Sequence, residues 1–343
     1  MSLPIRPPFP PMEALLVSEI PNGHGWQYEP KWDGFRCLVF RDGPKVELQS
    51  KSGQTLTRYF PELAEEFHKL ASKTFILDGE IAVVVNGRFS FDDLLQRIHP
   101  AESRVLKLAH EDPALFIAFD LLTGPDGKSL VDKTLPVRRA ALEAFAKKFF
   151  TNTDRIKLSP ATTDISTAEK WFQSVGGDLD GIIAKRLDCL YESGERTGMK
   201  KIKRVRTADC VVGGFRYASN AKVIGSLLLG LYDKAGQLDH VGFCSGLKAD
   251  ERKALVKKLQ PLIEPPGFTG RAPGGISRWS TKRSMEWQPL KPELVVEVSY
   301  DHFTGDRFRH GTRLLRWRPD KTPRQCTMEQ VSVPGRGSLS LLG

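Results

Sequence analysis

Short apolar runs broken by Asp-Gly pairs constrain this chain more than any other feature. The pairs stand at Asp33-Gly34, Asp42-Gly43, Asp78-Gly79, Asp126-Gly127 and Asp180-Gly181. Glycine reaches positive φ without steric cost and aspartate folds back on its own backbone, so each pair signals a turn. The runs between them have strand length, which predicts antiparallel strands joined by tight turns. "FRCLVFRDGPKVELQS" reads as a hairpin about Asp42-Gly43, and "TFILDGEIAVVV" as a strand pair or bent strand broken at Asp78-Gly79. "ALFIAFDLL", "LDGIIAKRL" and "KKIKRVRTADCVVGGF" read as further strands, and residues 1–25 as an extended lead-in.

Helices punctuate the strands. "PELAEEFHKLA" has helical apolar spacing and begins with Pro61, suited to a first turn. "SFDDLLQRI" has Ser90 as an N-cap, and "LPVRRAALEAFAKKF" and "TAEKWFQSV" follow. Near Val205–Asp209 the character changes. Short strands ("GSLLLGLYD", "DHVGFC", "LVVEVSY"), one helix ("ADERKALVKKLQPLI") and the loop "EPPGFTGRAPGGIS" predict a small β-barrel such as the OB-fold. The class is α+β: antiparallel sheets with helices over 1–205, a barrel over 206–330 and a loose tail over 331–343, ending in "VPGRGSLSLLG".

The chain has 343 residues and a formal net charge of +10, which favours an anionic partner such as nucleic acid or nucleotide. Five scattered cysteines without a zinc spacing suggest reduced thiols in the cytosol. The proline-rich start lacks the apolar core of a secretion signal, and nothing here is apolar for long enough to span a membrane.

Three patterns carry chemistry. In "EPKWDGFR", Lys31 sits between Pro30 and Asp33-Gly34, so the backbone is restricted on both sides and the side chain can be aimed. A surface hairpin with a solvated lysine has the same pattern. In "KKIK", Lys201 and Lys203 lie two apart and share a strand face, where they repel unless an anion lies between them. An edge strand kept soluble by lysines looks alike. In "DRFRHGTRLLRWRPDK", Arg316, Arg318 and Lys321 cluster about Trp317 and Asp320 as phosphate binders do, catalytic or not. Taken together, Lys31 is a nucleophile, Lys201 and Lys203 neutralise phosphate and lower the pKa of Lys31, and Glu80 and Asp180 are hard ligands for Mg²⁺.

These motifs resemble the covalent nucleotidyltransferase superfamily, and most closely the short bacterial ATP-dependent DNA ligases, the ligase C-like group. "KWDGFR", "LQSKSGQ", "ILDGEIAVV", "LFIAFDLL", "LDGIIAKR", "MKKIKRVRTADCVVGGF" and "RFRHGTRLLRWRPDK" follow the family's order through nearly the whole chain. The resemblance implies an adenylation (nucleotidyltransferase) domain followed by an OB-fold domain. It implies that Lys31 carries AMP, Glu29 reads the adenine edge and Phe119 stacks on the ring. Glu80 contacts ribose or metal, and Asp180 metal. Arg36, Lys51 and Arg196 contact phosphate or the nick, Lys201 and Lys203 the α-phosphate, and Arg318, Asp320 and Lys321 pyrophosphate. It also implies ATP with Mg²⁺ or Mn²⁺, a monomer acting on nicked double-stranded DNA in the bacterial cytosol beside the nucleoid, and protein partners left open.

Three positions depart from the family's usual residues. Lys51 stands where arginine is common, Asp180 where glutamate is common, and Met199 where tryptophan is frequent. The first exchanges a bidentate contact for a point charge. The second implies metal contact through water. No extra DNA-binding module is expected, so grip comes from the two domains, which favours an accessory repair ligase with a hinge near Val205–Ala208. An RNA ligase or GTP-using capping enzyme shares the lysine motif, and a non-catalytic OB-type nucleic-acid binder is the remaining alternative.

Overall fold

The computed structural model describes residues 3–174, 179–218, 221–274, 286–331 and 338–342. The chain divides into two units, Met1–Arg204 with Pro334–Gly343, and Val205–Val333.

In chain order the first unit contains β1 (Leu15–Val17), β2 (Trp26–Trp32), β3 (Phe35–Asp42), β4 (Lys45–Ser50), α1 (Pro61–Lys69), β5 (Thr74–Val85), β6 (Arg88–Phe89) and α2 (Phe91–Gln96). It continues with α3 (Glu102–Glu111), β7 (Ala114–Thr123), α4 (Leu135–Phe149), β8 (Ile156–Leu158), α5 (Ile165–Ser174), β9 (Leu179–Arg186) and β10 (Met199–Lys203). One sheet has the order β1-β10-β9-β2, the other β4-β3-β5-β7-β8. Only the pairs β1–β10 and β7–β8 are parallel among the described strands.

Helix spacing explains how the sheets are covered. Leu63 and Phe67 lie four apart on α1 and enter one core with Phe75 and Phe116 of the larger sheet, as do Leu142 and Phe145 of α4. Ala168 of α5 closes over Tyr28, Ile182, Ala184 and Ile202 of the smaller sheet. Ser90 caps α2 through the Asp93 N–H, as its position predicts. Helix α3 is absent from the sequence reading, and Val105 is its one buried residue.

The sequence reading needs amendment at three places. β5 runs unbroken through Asp78-Gly79, so that pair is no turn. The stretch "KKIKRVRTADCVVGGF" is two strands parted at Arg204 and Val205. The end of the chain is not a loose tail where it is described: Leu341 and Leu342, in a short 3-10 turn, pack against Trp32, Ala82, Ile117 and Leu179 of the first unit.

The second unit contains β11 (Arg206–Ala218), β12 (Ala221–Tyr232), β13 (Leu238–Cys244), α6 (Ala249–Leu259), β14 (Gln288–Pro289), β15 (Val295–Tyr300), β16 (Phe303–Thr304), β17 (Arg307–Phe308) and β18 (Arg313–Trp317). Its main sheet has the antiparallel order β13-β12-β11-β15-β18. Register shifts in three of these pairings add local twist and curl the sheet into the OB-type barrel. Val212, Leu229, Val296 and Leu255 of α6 fill its core. The predicted loop of residues 264–277 lies outside the described residues beyond Gly274. All five cysteines are free thiols. No described helix is long and apolar enough to cross a membrane.

Candidate active site

Register places the site. On the smaller sheet Gly181 of β9 stands opposite both Lys31 of β2 and Lys203 of β10. Two residues along, Ile183 stands between Glu29 and Lys201, and two further, Lys185 between Gln27 and Met199. A period of two sends all these side chains to one face. Its other face is the apolar cluster under α5. The KxK pattern of Lys201 and Lys203 is therefore a true face of a strand, with Lys31 two strands away on the same side.

Gly181 makes this row possible. Its φ is +148°, and a Cβ there would lie 1.9 Å from the Ile202 carbonyl oxygen. A register shift between Lys31 and Trp32 accompanies it. Plain alternation would turn Asp180 away from Lys31. With the backbone irregular here, its carboxylate reaches the same side, where Lys31 forms an ion pair with it and Lys203 approaches to 3.0 Å.

The larger sheet supplies the opposite wall. Arg36 of β3 pairs with Glu80 of β5. Asp78 pairs with Asp120 and Gly79 with Ala118, so Phe119 of β7 is an extra residue without a partner. This bulge delivers Phe119 to the cavity. Gly79 is required beside it, since a Cβ would lie 2.3 Å from the Phe116 ring. Arg36 lies over the Phe119 ring at 4.5 Å from its centroid, and Lys185 at 4.8 Å.

The result is a cavity of about 1150 Å³ lined by residues of the first unit, among them Lys31, Glu29, Lys51, Glu80, Phe119 and Lys201. Arg36, Ile183 and Met199 line it too, whereas Asp180 and Lys203 meet Lys31 at its edge. The volume suits a nucleotide.

Charge in the cavity is uneven. Burial pulls the Lys201 ammonium below its usual pKa, and Lys31, Lys203, Lys51 and Arg196 add to this. Burial likewise pushes the Glu80 carboxyl up to about 7, against the attraction of Lys31 and Arg36 and with the help of Asp33 and Asp78. Neither Lys201 nor Glu80 forms a hydrogen bond or ion pair among the described residues. A carboxylate left this way beside Asp33 suits a hard divalent cation.

Other predicted residues have acquired partners. Glu29 is buried, accepting from Gln27 Nε2 at 2.8 Å and from Lys185 Nζ at 2.9 Å. Arg36 donates Nε and Nη2 to the fully buried Asp78 at 2.5 and 2.6 Å. Tyr191 Oη donates to the same carboxylate at 2.6 Å. Arg36 is thus held beside Phe119 rather than left open to a phosphate. Lys51 and Arg196 both pair with Glu13, at 3.1 and 2.8 Å. The Lys51 contact and then Arg196 hold the Glu13 carboxyl below its usual range, against some desolvation.

Sequence reasoning missed Glu13, Asp78, Tyr191 and Lys185 as site members. Lys185, two residues beyond Ile183 on a strand already assigned to the site, was legible by alternation. The rest come from distant segments with no local signal.

In the second unit Arg318 donates Nη1 to Asp209 at 2.8 Å and Nε and Nη2 to Asp320 at 2.9 and 2.8 Å. Lys321 donates to Asp209 at 2.6 Å. The Arg318 contact holds the Asp320 carboxyl down at about 2. The residues of the terminal motif gather around Asp209, which the sequence reading had not singled out.

A lysine row beside a nucleotide-sized cavity, on paired antiparallel sheets in a chain that continues into an OB barrel, is the arrangement of a covalent nucleotidyltransferase. Comparison with known proteins narrows this. Residues 12–203 match the ATP dependent DNA ligase domain and residues 220–321 the ATP dependent DNA ligase C terminal region. The chain belongs to the ATP-dependent DNA ligases. It is 44% identical to DNA ligase C2 of Mycolicibacterium smegmatis over 355 aligned positions, 98% of each chain. DNA ligase C of Mycobacterium tuberculosis is also 44% identical, over 99% of this chain and 98% of that one. The multifunctional non-homologous end joining DNA repair protein LigD of that organism is 30% identical, over 89% of this chain and 37% of its own. Among solved structures, a Lig E DNA ligase has the same fold, with a TM-score of 0.55 at 16% identity, covering 90% of this chain and all of that one.

Proposed function

We propose that this ligase seals 3′-hydroxyl/5′-phosphate nicks in double-stranded DNA through AMP carried on Lys31. The observation that carries the reading is the row Lys31–Gly181–Lys203 with Lys201 on the same face of the cavity that holds Glu80 and Phe119. The Lys31 amine attacks the α-phosphorus of ATP, forming a P–N bond as the bond to pyrophosphate breaks. The nick's 5′-phosphate then takes AMP from Lys31. The 3′-hydroxyl attacks that phosphate and AMP leaves. Positioning and charge neutralisation supply most of the acceleration.

Each residue has a task in this scheme. Phe119, flanked by Arg36 and Lys185, offers a ring for adenine, and Glu29 its edge contact. Lys201 and Lys203 face the α-phosphate, and Lys51 and Arg196 a phosphate of the nick. Arg318, Asp320 and Lys321 attend the leaving pyrophosphate. Glu80 and Asp180 would hold Mg²⁺ or Mn²⁺, which supplies charge neutralisation at the phosphate when bound. Lys31 must shed a proton to attack, and Asp180 is the carboxylate in contact with it.

The repair setting rests on the likeness to the end-joining DNA repair protein LigD, with the protein placed in the cytosol beside the chromosome. The test incubates the protein with α-labelled ATP or GTP and Mg²⁺ or Mn²⁺, then offers nicked DNA or a nick with an RNA strand. Label on Lys31 from ATP, transferred to and sealing nicked DNA, is the expected result. Label from GTP alone, sealing confined to RNA, or no covalent label would overturn it.

A further inference from the structure

Strand register in the second unit sets three charged residues side by side. Asp209 of β11 stands directly opposite Glu297 of β15, and Glu297 opposite Arg316 of β18. Like charges directly opposite on neighbouring strands are destabilising. Here the repulsion between Asp209 and Glu297 is relieved by an arginine reaching both. Arg318 Nη1 lies 2.8 Å from Asp209 Oδ1 and 3.9 Å from Glu297 Oε2. Its backbone N–H is fixed by the Val295 carbonyl at 2.9 Å, so it enters from the end of β18 at a defined height.

Asp209 is itself held firmly. Its N–H donates to Gln330 Oε1 at 3.0 Å, and its carbonyl accepts from Gln330 Nε2 at 3.2 Å. Its carboxylate is nearly buried, and each oxygen takes a different cation, Oδ1 from Arg318 and Oδ2 from Lys321. Asp320, the other partner of Arg318, is exposed. It covers the Nε/Nη2 edge, the edge whose two parallel N–H groups match a phosphate or carboxylate fork. The two acids therefore have different mechanical status. Asp209 is fixed from behind through its backbone and grips Nη1. Asp320 lies in solvent over the edge that an anion would use.

We infer that Asp209 is the positioning residue of the terminal motif, holding Arg318 and Lys321 a fixed distance apart so that Arg318 keeps its Nε/Nη2 edge for the phosphates of ATP. This rests on the reading that the terminal motif attends pyrophosphate. Asp209 touches no reacting atom. It acts through the two cations, so its effect is confined to the step in which pyrophosphate exists.

The test compares two reactions of the full chain: labelling with α-labelled ATP over a range of ATP concentrations, and sealing of a nick already carrying AMP on its 5′-phosphate. Asp209→Asn keeps the shape and removes the charge. It is expected to raise the ATP concentration for half-maximal labelling at least tenfold. Sealing of the pre-adenylylated nick should stay within about twofold of the parent, and Asp209→Glu should recover part of the labelling. Arg318→Ala and Lys321→Ala separate the two levels of the argument. If these lose labelling and Asp209→Asn does not, the positioning role is overturned while the reading of the motif stands. If neither affects labelling, the reading of the motif falls. An equal loss in both reactions for Asp209→Asn, with a lowered melting temperature, would make Asp209 a structural residue only and overturn the inference.

Discussion

The charged clusters of the two units are built on opposite principles. In the first unit Lys201 and Glu80 have no bonded partner among the described residues, and the four cations around Lys201 share only Asp180 and Glu13, so cationic charge is left unbalanced in a cavity. In the second, Arg316, Arg318 and Lys321 are met by Glu297, Asp209 and Asp320, and little charge is left over. The first arrangement is completed by a ligand that brings anionic phosphate and a cation. The second is complete as it stands and must exchange partners to take a ligand. The difference bears on which step each cluster serves: an unbalanced cavity suits a group in contact with the α-phosphate throughout, and a balanced cluster a group engaged only briefly.

The largest expected effect comes from Lys31. Lys31→Ala should abolish the covalent AMP adduct, read as loss of label from α-labelled ATP, because it removes the amine proposed to form the P–N bond. Persistent label would move the nucleophile elsewhere. Next is the unbalanced charge itself. Lys201→Met should slow both labelling and sealing by about 10² to 10³, the scale of losing one preorganised electrostatic contact. A loss confined to labelling would erase the contrast between the clusters.

Asp320→Ala should slow labelling about tenfold while sparing the pre-adenylylated nick, as expected for loss of one charge-assisted contact. Faster labelling would mean that Asp320 only competes with phosphate for the Nε/Nη2 edge it covers and takes no part in the step. Glu80 offers a pH test of the same cavity. Its carboxyl titrates at about 7, so below that pH a proton competes with the metal, and the Mg²⁺ concentration for half-maximal labelling should rise up to tenfold per pH unit. The stability sign is the reverse. A pKa raised in the folded state stabilises fully below the ordinary value of 4.5, and that contribution is lost as pH climbs through about 7. Glu80→Gln should therefore melt higher relative to the parent at pH 8 than at pH 5. A parallel shift at both pH values would show that burial does not govern this carboxyl.

The smallest effect belongs to Glu13, whose partners Lys51 and Arg196 are largely exposed. Glu13→Gln should tighten binding of a 5′-phosphorylated nick by less than about fivefold, and leave a 5′-hydroxyl nick unchanged, in keeping with the small worth of exposed ion pairs. Weaker binding would make Glu13 an organiser of the two cations rather than a competitor for them.

The lysines, the helices bearing Pro61, Ser90 and Leu135, and the strand-rich second unit were legible because regular periods carry them. Lys201 and Lys203 needed only a period of two. What stayed hidden depends on irregular backbone or distant contact. Phe119 reaches the cavity through a bulge whose cause, Gly79, reads in the sequence as half of a turn. Asp180 reaches Lys31 because Gly181 breaks the alternation. The partners Asp78 and Asp209 are set by strand register and Glu13 by contact between irregular segments, neither of which local spacing encodes. Asp180 was read as a hard metal ligand from its residue type alone, whereas the family resemblance supplied Phe119 where periodicity could not. It also assigned Arg36 and Lys51 to phosphates, but in this structure each is held by an acid.

Leu341 and Leu342 give the first unit an unusual order of assembly. They seat against Trp32, next in sequence to Lys31, yet the whole of Val205–Val333 is translated between them. Domains generally fold as units while the chain emerges, N-terminal parts first. Here a growing chain can form the two sheets early, but the apolar patch around Trp32 stays bare until Leu341 and Leu342 have emerged, after the whole second unit. The surroundings of Lys31 are thus completed only after the second unit is made, so a chain cut short before Leu341 keeps its lysine and loses the lining next to it.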